Sequence, residues 1–281
     1  MIDEECFCVL GPLRVSARDQ PVSIPAGKQR VLLAALLVDA NEVVPVDELV
    51  DRIWGDALPA CPRCALHTLV TRLRRTLDAN GAGLARCIRT ASGGYAIEVA
   101  PHRLDLGRFT QLTRLARSAC DRGDPAGEAD LLTEALALWR GQPLADIESE
   151  SLHREVAPLL RESWLTASER YHDVCLTLGR HDEIVGELRT LTHKYPFHEH
   201  RWAQLMLALY RCGRRGEALQ AYAAMRRSFH EELGVEPGEE ARLLHTAMLR
   251  SDRELTTTRS WPVPSGGGPV RLQAPYERRA S

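Results

Sequence analysis

The 281-residue chain carries 36 Lys and Arg against 38 Asp and Glu, a formal charge of −2, and 44% of its residues are hydrophobic. That balance fits one large or two ordinary globular domains and argues against a general nucleic-acid sponge. The longest apolar run, Val31 to Val38, falls well short of the ~18 residues of a membrane span, and the acidic start Met1-Ile2-Asp3-Glu4-Glu5 lacks an apolar signal core, so a cytoplasmic, nucleoid-associated protein without membrane contact is expected.

Short strands are predicted first. Phe7 to Leu10 and Leu13 to Val15 flank the turn dipeptide Gly11-Pro12, and Val22 to Ile24 is a third candidate. Gly27 then leads into a helix from Lys28 to Asp39, striped by Val31, Leu32, Leu36 and Leu37. Lys28 and Arg30 at its start are candidates to hold a phosphate or touch a polymerase. A second helix runs from Val46 to Trp54. Asp47 and Glu48 in its first turn suit the helix dipole, Leu49, Val50, Ile53 and Trp54 form its apolar face, and Gly55 is its stop.

The third helix is the most informative. From Pro62 to Leu77 the spacing of Leu66, Leu69, Val70, Leu73 and Leu77 defines one apolar face, and the other face holds His67, Thr68, Thr71, Arg74 and Arg75. Residues 88–97 then read as strand, glycine turn, strand, with Arg89, Thr90 and Ser92 toward the tip. A helix with a basic outer face followed at once by a basic hairpin is the pattern of a winged helix-turn-helix, whose helix enters the DNA major groove while its wing reaches the backbone. Residues 61–90 hold six arginines and one acid, whereas residues 1–60 hold five basic residues and ten acids. Charge segregated in this way attracts a duplex to one face and repels it from the rest. His67, Thr71, Arg74 and Arg75 are the candidate groove contacts, since Arg reads guanine edges and Thr meets a thymine methyl or a base edge. Arg63, Thr68 and Arg72 join the candidate DNA-binding set, Arg72 nearer the helix flank. Arg89, Thr90 and Ser92 are assigned to the phosphate backbone.

From Arg103 the pattern is helical throughout. Gly179-Arg180-His181-Asp182-Glu183-Ile184 recurs as Gly213-Arg214-Arg215-Gly216-Glu217-Ala218, an offset of 34 residues and the period of a tetratricopeptide repeat. A weaker copy lies at Arg122-Gly123-Asp124-Pro125. The fold expected is therefore an α+β winged helix-turn-helix at 1–102, an all-α tetratricopeptide-like helical domain at 103–250, and a disordered Pro/Gly-rich tail at 251–281. Cys61-Pro62-Arg63-Cys64 has the spacing of half a zinc site or of a redox dithiol, but no second CxxC completes a zinc site. The cysteines are expected to stay reduced, with Cys120, Cys175 and Cys212 as small buried residues. His193, His198 and His200 read as polar residues of an inter-helix loop. With no GxSxG, HExxH, Walker or dinucleotide motif, no enzymatic activity, cofactor or metal is expected. The competing reading is a protein-interaction scaffold on the helical repeats, with a degenerate DNA-binding domain.

Further motifs carry a family resemblance: Val9-Leu10-Gly11-Pro12-Leu13, the run Gln29 to Leu37, Leu49-Val50-Asp51-Arg52-Ile53-Trp54-Gly55, Val70-Thr71-Arg72-Leu73-Arg74-Arg75, Gly93-Gly94-Tyr95, Leu138-Trp139-Arg140-Gly141, Tyr195-Pro196 and Glu232-Leu233-Gly234-Val235-Glu236-Pro237. Over about residues 5–250 the chain resembles the Streptomyces antibiotic regulatory proteins, in their small single-module form. The resemblance implies a response-regulator-type winged helix followed by a bacterial transcriptional activator domain. It also implies an activator that binds promoter direct repeats as a homodimer on double-stranded DNA. Such an activator recruits RNA polymerase holoenzyme, sigma factor included, to secondary-metabolite (antibiotic) gene clusters. No GxxxxGK[ST] loop occurs, so nothing points to control by ATP.

Overall fold

A computed structural model describes residues 6–17, 20–25, 27–79, 83–252 and 255. The expected tail lies, from Thr256 onward, outside the described residues. Those described fall into two compact units, one drawn from residues 6–115 and Thr133–Leu165, the other from Ala116–Leu132 and residues 166–255.

The first unit opens with an antiparallel sheet of β1 (Cys6–Cys8), β2 (Arg14–Ala17) and β3 (Gln20–Pro21), with Phe7 opposite Val15. The third strand falls just ahead of Val22 to Ile24. Val22 and Ile24 are buried and serve as core, and the Val22 N–H donates to Val15 O at 2.9 Å. β1 stops before Val9 because a side chain takes over the backbone donors. Asp105 accepts from the N–H groups of Val9 (2.8 Å) and Leu10 (2.9 Å). Arg140 donates from its backbone to Leu10 O at 2.8 Å and from its guanidinium to Pro12 O at 3.1 Å. The Val9 to Leu13 turn and the Trp139 to Gly141 segment are thus bound into one structure although more than a hundred residues separate them.

Three helices follow. In α1 (Lys28–Val38) every residue from Val31 to Val38 is buried, so this apolar run is a core helix rather than an amphipathic one. Helix α2 (Val46–Trp54) ends at Gly55, whose φ of +50° favours glycine. Its buried face includes an arginine that periodicity alone misses. Arg52, 7% exposed, donates to Ala35 O at 3.0 Å and pairs with Asp39 at 2.5 Å and with Glu48. Burial, opposed by Arg52, raises the Glu48 pKa. Trp54 is only half-buried and carries Lys28 over its ring at 4.9 Å. Helix α3 (Pro62–Asp78) packs against α1 and α2. A second sheet runs in the order β4 (Val44–Pro45), β6 (Gly94–Ile97), β5 (Ile88–Ala91). The two-residue β4 is too short to show a pattern in the sequence.

The helices α4 (Asp105–Asp121), α5 (Pro125–Ala137) and α6 (Ala157–Leu178) each contribute residues to both units. In the second unit come α7 (His181–Lys194), α8 (Glu199–Arg211), α9 (Arg215–Ser228) and α10 (Glu239–Arg250). The 34-residue offset appears in the hydrogen bonds themselves. Arg180 N donates to Cys175 O and Arg214 N to Leu209 O, both at 2.9 Å, across Gly179 (φ +80°) and Gly213 (φ +75°). Asp124 N repeats the bond to Ala119 O at 3.0 Å past Gly123 (φ +70°). Each glycine closes its helix in the left-handed region and turns the chain into the next hairpin. The core includes Leu176, Ile184, Leu188, Leu205, Met206, Leu209 and Met225. Of the three cysteines expected inside it, Cys175 is buried, Cys212 is half-buried and Cys120 is exposed. His200 lies on α8, outside any loop, with Nε2 3.0 Å from Asp173 Oδ1.

Candidate nucleic-acid interface

Helix α3 begins with Pro62 in its first turn, where the missing N–H leaves no broken bond. Leu66, Leu69, Val70, Leu73 and Leu77 are buried, as the spacing predicts. The other side is solvent-facing: Arg63, His67, Thr68, Arg72 and Arg75 are exposed, and Thr71 and Arg74 are half-buried. Thr68 and Thr71 donate their hydroxyl protons to Cys64 O and His67 O, each at 2.9 Å. Both side chains therefore present a methyl and an acceptor oxygen outward, the chemistry that meets a thymine methyl or a base amino group.

The cations of the face divide by what holds them. Arg63 lies 3.8 Å from Asp47 with both side chains well exposed, a pair of small energetic weight. Among the described residues Arg72 and Arg75 have no ion-pair partner. Arg74 differs: its Nη2 donates to Ile88 O at 2.9 Å and to Thr90 Oγ1 at 3.1 Å. Arg74, expected as a groove contact, thus uses one terminal nitrogen as a strut from α3 to β5. On the hairpin, Arg89 is exposed and lies 3.6 Å from Glu98, Thr90 is exposed, and Ser92 stands at the turn.

Two residues outside the candidate set shape this face. Thr76 donates to Gln29 Oε1 at 2.9 Å, tying α3 to α1. Gly94 lets β4 pass close to β6: a Cβ there would stand 2.1 Å from Val44 O. Neither signal can be read from periodicity, since one is a single long-range hydrogen bond and the other depends on a strand of two residues.

Arg30 does not serve as a free cation. It donates to Leu13 O at 2.8 Å and Ile24 O at 3.3 Å and pairs with Asp146, which in turn accepts from Leu13 N at 2.8 Å. The expectation that all cysteines are reduced is also corrected: Cys61 and Cys64 form a disulfide with a Cα–Cα distance of 5.4 Å. The helical turn starting between them brings residues three apart within bridging range. No described helix is long and apolar enough to cross a membrane.

Residues 20–97 match the family described as "Transcriptional regulatory protein, C terminal", and residues 104–249 match "Bacterial transcriptional activator domain". Regulatory protein DnrI of Streptomyces peucetius is 38% identical over 87% of this chain and 92% of its own length. Transcriptional regulator RedD of Streptomyces coelicolor is 34% identical, over 87% of this chain and 70% of its own. The structure of Mycobacterium tuberculosis EmbR, solved in complex with a low-affinity phosphopeptide, superposes with a TM-score of 0.82 at 30% identity. The match covers 89% of this chain and 66% of that one.

Proposed function

The chain belongs to the Streptomyces antibiotic regulatory protein family of transcriptional regulators, and from that premise we propose that it activates transcription by sequence-specific binding to promoter direct repeats. Helix α3 enters the major groove, with Arg75, His67, Thr68 and Thr71 toward the base edges and Arg63 and Arg72 toward phosphates. Arg89, Thr90 and Ser92 meet the adjacent backbone. Arg74 positions the wing against the helix. Two chains bind side by side, and the helical region offers the surface that holds RNA polymerase holoenzyme and its sigma factor. The genes controlled are those of a secondary-metabolite cluster, in line with the family. The domain division proposed with this reading is 1–102 for DNA and 103–250 for activation.

The observation that carries the reading is the exposed basic face of α3, continuous with a basic hairpin and opposite a buried leucine stripe. Lysine and arginine contacts to phosphate release counterions, so binding should weaken steeply with salt, by a slope near 0.9 per phosphate contact. The test is selection of duplexes by the full chain from sheared genomic DNA, footprinting of the enriched sites, and run-off transcription with purified holoenzyme. Two protected repeats on one helical face and a rise in transcript support the reading. Failure to enrich any duplex would return the chain to the scaffold alternative.

A further inference from the structure

Cys61 is the residue that caps α3 and Cys64 lies in its first turn, with Pro62 and Arg63 between them. Both cysteines are exposed, so the bridge is open to small thiols, whereas Cys175 is buried. The Cys61 side chain makes no capping hydrogen bond, and the first turn of α3 contains no acid. The two cysteines therefore sit at the positive end of the helix dipole, the setting that stabilises a thiolate and speeds exchange. His67, Thr68 and Thr71, one and two turns further on, are the residues assigned above to the bases.

We propose that Cys61–Cys64 is a reversible thiol–disulfide site for low-molecular-weight thiols, and that its state sets the DNA affinity of α3. The second half of this inference rests on α3 being the groove helix. In the exchange, a thiolate RS⁻ attacks one bridge sulfur. The Cys61–Cys64 bond breaks, an R–S–cysteine bond forms, and the other cysteine leaves as a thiolate held by the helix end. A second RS⁻ attacks the R-bearing sulfur, releasing RSSR and the second cysteine thiolate. Two electrons pass from two thiols to the bridge, and the protons lost by the thiols are available to the cysteines. The oxidised pair is neutral and ties the cap to the first turn. The reduced pair loosens that turn and adds negative charge at the end of α3 nearest the phosphates, so the oxidised chain is the tighter binder.

The test uses the full chain, purified without reductant and compared with the same sample treated with 2-mercaptoethanol. Thiols are blocked with N-ethylmaleimide, the bridges are then reduced and alkylated with iodoacetamide, and the peptide holding residues 61–64 is weighed. A duplex enriched by the oxidised chain from a random pool is then titrated against both states and against the Cys61→Ser/Cys64→Ser double variant. The expected result is a bridged peptide that opens with thiol and re-forms with disulfide, and an affinity about two- to ten-fold weaker on reduction. The double variant should bind with no response to thiol. Maleimide on both cysteines before reduction overturns the site. Exchange with equal affinity in the two states overturns its link to DNA while leaving the DNA-binding reading standing. A thiol response that persists in the double variant assigns the effect to another cysteine and also overturns it. Enrichment of no duplex in either state removes the groove reading, and the affinity half of this proposal with it.

Discussion

Arg74 on α3 and Thr90 on β5 meet at 3.1 Å, guanidinium to hydroxyl, and the same guanidinium nitrogen reaches Ile88 O at 2.9 Å. The helix and the wing are therefore coupled through one side chain, next to an arginine, Arg75, that is exposed.

The neighbours should separate in mutagenesis. Arg75→Ala should weaken duplex binding by about 1–3 kcal/mol, the worth of a good base contact, and leave the melting temperature unchanged. Arg74→Ala should weaken binding and also lower stability by about 1 kcal/mol, because two hydrogen bonds to β5 are lost. Fluorescence anisotropy at fixed salt and thermal melting report the two effects. Equal behaviour of the two variants in both assays would contradict the strut role of Arg74.

Asp105 should be the most sensitive polar position of the first unit. It is 6% exposed and accepts from the Val9, Leu10 and Leu106 N–H groups, with Arg140 3.4 Å away. Asp105→Ala leaves buried donors unpaired and should cost about 2–4 kcal/mol. A urea titration following Trp fluorescence measures it, and a loss below about 1 kcal/mol would show that water replaces the carboxylate without penalty.

Gly94→Ala should disrupt the wing from behind. The new methyl would stand 2.1 Å from Val44 O, which belongs to the backbone and cannot swing aside. The cost should reach at least the roughly 1–3 kcal/mol of overpacking, whereas Gly186→Ala, with nothing near its added carbon, should be neutral or stabilising. Melting curves of the two variants form the comparison.

Glu217 gives an acid dependence with a defined sign. Hydrogen bonds from Arg214 and then Arg189, with their charges, hold its pKa at about 2 against an ordinary 4.5. A depressed carboxylate stabilises the fold above the unfolded pKa and loses that effect as pH falls through the folded one. Wild type should therefore melt above Glu217→Gln at pH 6, with the two curves converging between pH 4.5 and 2. A gap that stays constant over that range would show that the charge of Glu217 is not the cause.

Local periodicity made much of this legible. The leucine stripe of α3, the hairpin turn, the stop at Gly55 and the 34-residue repeat follow from spacing and glycine placement, which act within a few residues or a fixed period. The candidate face of α3 was legible for the same reason, since a buried stripe dictates which residues lie opposite. The roles of Arg74, Arg30 and Arg52 were not, because a long cation looks the same in sequence whether it meets solvent or a distant carbonyl.

The sequence by itself determined the longer helices, the basic helix with its wing hairpin, and the family, since each depends on residue identity at short spacing. Only the tertiary structure decided which cations are held inside, that Asp105 and Arg140 bind the Val9 to Leu13 turn, and that a two-residue strand requires Gly94. The physical reason is range. Hydrogen bonds such as Val9 to Asp105, 96 residues apart, depend on how the packed core brings distant backbone together, and no local pattern encodes that approach.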